Sequence, residues 1–148
     1  MSTGLHVDLD GALGAVLDDM QQALAALAGV LEDERIALLA ADVAALDAAG
    51  GRKQALVQQL EQLDAERVQL GQAAPRAAQA LEVRWQSLMP ALAACRDRNQ
   101  RNGQLVGQRL ESTRRALWIL TGQQNDGGVY GRTGSLHLRP RSQTLAEA

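Results

Sequence analysis

From Leu13 onward, large apolar residues return in alternating steps of four and three: Leu13, Leu17, Met20, Leu24, Leu27 and Leu31. That alternation is a heptad seam, so the spacing predicts a helix over about 8–40 facing a neighbour along its length. Asp8 or Asp10 suits its positive end. Asp42 reads as the next N-cap, and the stripe resumes at Leu46, Ala49, Leu56, Leu60, Leu63 and Leu70, predicting a second helix over 43–70. Gly50 and Gly51 stand inside it at a cost of about 1 kcal/mol each against alanine. Either the helix bends there or another backbone approaches.

Gly71 reads as the stop of that helix and Pro75 as the first-turn residue of a third, over about 75–121. Its stripe runs through Leu81, Trp85, Leu88, Leu92, Cys95, Asn99, Asn102, Val106, Thr113, Leu117 and Leu120. Pro90 lies inside the run, and a kink is expected there. Beyond Leu120 the periodicity stops. Residues 123–148 are rich in Gly, Asn, Asp, Ser and Gln and read as a flexible tail.

These elements predict an all-α chain: an elongated antiparallel three-helix bundle, made of a helical hairpin and a long third helix, over residues 1–122, with the tail from 123. Length adds an asymmetry. At 1.5 Å per residue the second helix spans about 42 Å and the third about 69 Å. The third helix is therefore expected to overhang the hairpin from Leu105 to Leu120. That stretch is apolar, and each such side chain is worth ~1.5–3 kcal/mol when buried. It needs cover from the tail, from a second copy paired through the same face, or from another protein. Asn99, Asn102, Gly103 and Gly107 sit where the overhang begins. Polar residues on an apolar seam fix register at a cost in stability, and the glycines permit a bend or a close neighbour.

Composition supports helices over sheet. The chain has no Phe, one Tyr and two Trp, and is dominated by Ala, Leu, Gln, Arg and Glu. Charge is uneven: residues 1–70 hold 12 acids and 4 bases, residues 71–148 hold 5 acids and 11 bases. Helical regions of opposite sign attract each other when folded, or the basic half serves an acidic partner. A single cysteine makes no internal disulfide. No run reaches the ~18 apolar residues of a membrane span, so no stable membrane insertion is expected. The first residues lack the pattern of a secretion signal. The expected location is the cytoplasm.

Catalytic chemistry finds no foothold. His6 and His137 lie near opposite termini, no metal-ligand spacing occurs, and Cys95 falls on the core stripe as a small hydrophobe. No cofactor is implied. Arg96, Arg98, Arg101, Arg109, Arg114 and Arg115 make the third helix basic, but the acidic first half and scarce aromatics speak against nucleic acid. A self-associating coiled-coil adaptor remains a rival reading.

The segment "RNQRNGQLVGQRLESTRRALWILTGQ", followed by "YGRTG", resembles the FlgN family of flagellar export chaperones. "LEDERIALLAADVAALDAAGGRKQALVQQLEQLDAER" is similar to that family's first helical region, including the lone Lys53. The resemblance runs from about Leu13 to Gly134, and it departs at Gly50–Gly51 and at Pro90. It implies a small cytoplasmic helical chaperone for hook-associated proteins of the hook–filament junction. Such a chaperone holds their C-terminal amphipathic helical segments, prevents premature assembly and delivers them to the type III export gate. By the same resemblance Asn102, Gly103, Leu105, Val106, Leu110, Leu117 and Leu120 match the substrate-binding motif, and Tyr130 matches a tyrosine linked to docking on the gate. A helix-in-groove contact along Leu105–Leu120 fits the overhang.

Overall fold

The computed structural model describes the backbone of residues 2–121 and the side chains of residues 8–121. Four helices follow in order: α1 (Ser2–Ala40), α2 (Val43–Ala73), α3 (Pro75–Ala80) and α4 (Glu82–Leu120). No strand occurs among the described residues. The chain divides into two units, one ending at Gly107 and the other beginning at Gln108.

α1 is buried more widely than one seam requires. Three heptad columns lie inside: Leu13-Met20-Leu27-Glu34, Leu17-Leu24-Leu31-Leu38 and Val16-Ala23-Val30-Ala37. The first two contain the whole stripe expected from the spacing. The third rests on Val and Ala and widens the buried face so that α1 serves two long neighbours, while Leu13 packs with Ala74 and Ala77 at the start of α3. One is α2, whose Leu56 lines a crevice with Val30. The other is α4, whose Cys95 and Asn102 bond the carbonyls of Leu24 and Leu31.

Bond registers give the directions. Arg84, Cys95, Arg98 and Asn102 of α4 each reach a carbonyl of α1 that is 70 or 71 residues earlier in the chain. A constant offset means that α1 and α4 run parallel. α2 lies antiparallel to α1, as a tight turn at Ala41–Asp42 requires. There the Asp42 amide donates to the Ala37 carbonyl at 3.0 Å and the Ala41 amide to Leu38 at 3.3 Å, the paired bonds of a Schellman stop. Ala41 takes φ 55, a left-handed conformation normally given to glycine. Asp42 caps α2 as its position suggests: its Oδ1 accepts from the Ala45 amide at 3.0 Å.

Two points differ from the sequence expectation: the division of the third helix and the end of the second. The third helix is divided at Leu81 (φ −98°, ψ 5°), which gives four helices in place of three. The interruption is shallow, because the Trp85 amide still donates to the Leu81 carbonyl at 2.9 Å. α2 runs past Gly71 to Ala73 and passes unbroken through Gly50 and Gly51. A Cβ on either of that pair would meet nothing within 4 Å, so no backbone approaches there. Pro90 lies inside α4, as its place in the run of the third helix predicts, and its missing N–H falls on an exposed turn. The expected tail, 123–148, lies outside the described residues.

Candidate functional site

The sequence-derived residues fall into two groups. Asn102 is buried, at 3 % exposure, and Leu105 is half-buried. Gly103 is exposed, and a Cβ there would meet nothing within 4 Å. From Val106 on, α4 shows its apolar side chains to solvent: Leu110 at 55 %, Leu117 at 56 % and Leu120 at 81 %, with Trp118 and Ile119 also exposed. Within the unit from Gln108 on, Leu110, Thr113, Leu117 and Leu120 repeat in steps of three and four, so they share one face of the helix. Tyr130 lies outside the described residues.

Asn102 belongs to a polar node that joins α1, α2 and α4. Its Nδ2 donates to the Leu31 carbonyl at 2.9 Å and to Glu34 Oε2 at 2.7 Å. Lys53 Nζ of α2 donates to Glu34 Oε1 at 2.6 Å and to Asn99 Oδ1 at 3.2 Å. Glu34 is buried and occupies the fourth place of the column Leu13-Met20-Leu27. Both its oxygens are engaged, as a buried carboxylate demands. Among the described residues no buried side-chain nitrogen or oxygen lacks a partner. Reading α4 alone finds the asparagines but misses Glu34. The signal for it was the column itself, where an acid follows two leucines and a methionine at heptad spacing.

A second feature escaped the sequence reading. Between α2 and α4 lies an open cleft of about 1050 Å³. Leu24, Leu27 and Leu31 of α1 contribute to its floor, and Val57 and Leu92 line its walls. At one end Arg67 lies 3.8 Å over the Trp85 ring while bonding Asp64 at 2.9 Å. Lys53 and Asn99 line the other end.

Cys95 faces the core beside this cleft, and its thiol donates to the Leu24 carbonyl at 3.6 Å. Burial pushes its pKa above the ordinary thiol range, against a smaller opposing pull from the Arg98 charge. A thiol held protonated is a poor nucleophile, which suits packing and not catalysis. Opposite charges of the two halves meet where Arg84 of α4 pairs with Asp18 of α1. No helix among the described residues is long and apolar enough to cross a membrane.

The model of the family described as "FlgN protein" matches residues 9–137. No curated protein and no solved structure matches the chain.

Proposed function

Because the chain belongs to the FlgN family of flagellar export chaperones, we propose that it captures the C-terminal helical segments of hook-associated proteins in the cytoplasm. It holds them from premature assembly at the hook–filament junction and brings them to the type III export gate. The observation that carries this reading is the exposed apolar face of α4. Leu110, Leu117 and Leu120 lie on it in helical register and more than half exposed. An amphipathic substrate helix covers such a face by side-by-side packing.

In this reading Leu105, Val106, Leu110, Leu117 and Leu120 touch the substrate. Asn102 and Gly103 shape the start of the surface. Tyr130 docks on the export gate. The hairpin of α1 and α2 with the long α4 is the scaffold, and the shared register of α1 with α4 supports it.

Stopping the chain after Gly103 tests the reading. Capture of hook-associated protein C-termini should be lost while most of the helical signal remains. Undiminished affinity in that shortened chain rules the surface out. Tyr130→Ala should spare capture and weaken gate docking; equal docking removes its role. The same exposed face also suits a self-associating adaptor. Light scattering of the purified chain separates the two, since a stable dimer through α4 leaves the face covered.

A further inference from the structure

The cleft between α2 and α4 involves none of the residues from Leu105 to Leu120, and the export reading does not use it. Its floor is leucine from α1. Its walls expose apolar side chains that no element among the described residues covers: Val57 is 40 % exposed and Leu92 46 %. The α4 wall between Trp85 and Asn99 is about 21 Å long at 1.5 Å per residue, the rise of four helical turns.

Charge on the two rims is opposite in sign. Glu61 of α2 and Arg96 of α4 both line the cleft and are exposed. Neither takes part in an ion pair among the described residues. The neighbouring charges are already engaged, Lys53 with Glu34 and Arg67 with Asp64. Two unpaired charges of opposite sign therefore flank an apolar trough.

We propose that this cleft is a docking groove for an amphipathic helix of another protein, about four turns long, with one basic and one acidic flank. Its apolar stripe lies on Leu24, Leu27 and Leu31 and between Val57 and Leu92. Its basic flank faces Glu61 and its acidic flank faces Arg96. The apolar floor supplies affinity, and the rim charges select the flanks and fix the direction in which the helix lies. The proposal stands whether or not the exposed face of α4 captures substrate.

The test titrates the full chain with two designed helical peptides of four turns, each with leucine on one face. One has lysine along one flank and glutamate along the other; its control has glutamate along both. Leu92→Glu and Val57→Glu alter opposite walls at exposed positions, and circular dichroism checks that each variant is folded. The mixed peptide should bind, and either wall variant should weaken it by about tenfold or more, the effect of a charge set in an apolar contact. Glu61→Lys should weaken the mixed peptide several-fold and strengthen the doubly acidic one. Leu117→Glu should change neither. Unaltered affinity in both wall variants overturns the proposal, as does an unaltered preference in Glu61→Lys. Loss of binding in Leu117→Glu transfers the contact to the α4 face. Self-association of the free chain that Leu92→Glu abolishes assigns the groove to a second copy and also overturns it. Loss of capture on stopping the chain after Gly103 is a separate result, so the two readings fail separately.

Discussion

Asn102 of α4 reaches Glu34 of α1 at 2.7 Å, at the point where a column of leucine and methionine gives way to an acid. The same carboxylate takes Lys53 of α2 on its other oxygen. Three helices are thus pinned at one level by groups that cannot slide past one another without leaving a buried charge bare.

Removing one member of the node should therefore cost more than removing all of it. Asn102→Leu leaves Glu34 Oε2 without its donor and should destabilise by about 2–3 kcal/mol. The triple change Asn102→Leu, Glu34→Leu and Lys53→Met should recover most of that loss. Urea unfolding midpoints measure both. A triple variant less stable than the single one would falsify the idea that desolvation dominates the node.

Glycine positions make a prediction of opposite sign. A Cβ at Gly51 or at Gly107 would meet nothing within 4 Å, and both sit inside helices. Gly51→Ala and Gly107→Ala should each raise stability by about 1 kcal/mol. The check is the denaturation midpoint at an unchanged slope. A fall in stability at Gly51 would mean that a neighbour approaches closely after all.

At the turn the substitution runs the other way. Ala41 holds φ 55 to close the Schellman bonds. Ala41→Gly should stabilise by about 1 kcal/mol, because glycine pays no Cβ penalty in that conformation. Thermal unfolding of the pair settles it; an unchanged or lower melting temperature counts against the strained turn.

Cys95 couples stability to alkaline pH. Its folded pKa is raised by burial, so the folded chain holds the proton more tightly than the unfolded one. The stability it contributes is complete below the unfolded thiol's pKa and is lost as pH rises through the folded value. Between about pH 8 and about pH 10, wild type should lose more stability than Cys95→Ala, which has no thiol to ionise. Parallel curves remove the linkage. A thiol reagent added at neutral pH should likewise react only as the chain unfolds.

Much of the fold was legible because helices write their contacts at fixed intervals. The seam from Leu13 to Leu31 is buried at every step, and Asp42 caps where a short acceptor before an apolar run should. What stayed hidden has a physical cause in each case. Ala23 and Ala37 are buried, but alanine is equally at home on an exposed helix face and gives no periodic signal. Ala41 carries a left-handed turn with no glycine to announce it. The division at Leu81 is a backbone departure at one residue (φ −98°, ψ 5°) that no side-chain pattern announces.

The candidate site was legible only in part. Periodicity on one helix found the exposed stripe from Val106 to Leu120. A cleft is a property of two helices and the gap they leave, so Val57, which falls off the α2 stripe, gave no hint of lining one. The column of Leu13, Met20 and Leu27 marked Glu34 as an inward acid, but not what it bonds, because Lys53 and Asn102 come from helices distant in the chain.

The two tryptophans differ in setting. Trp85 is half-buried beneath Arg67, and Trp118 stands 59 % exposed. The chain therefore carries a pair of intrinsic lamps, one shaded and one open. Replacing either by phenylalanine leaves a single tryptophan, so quenching of its emission by a small solute reads helix packing in one variant and coverage of the α4 face in the other, with no dye attached.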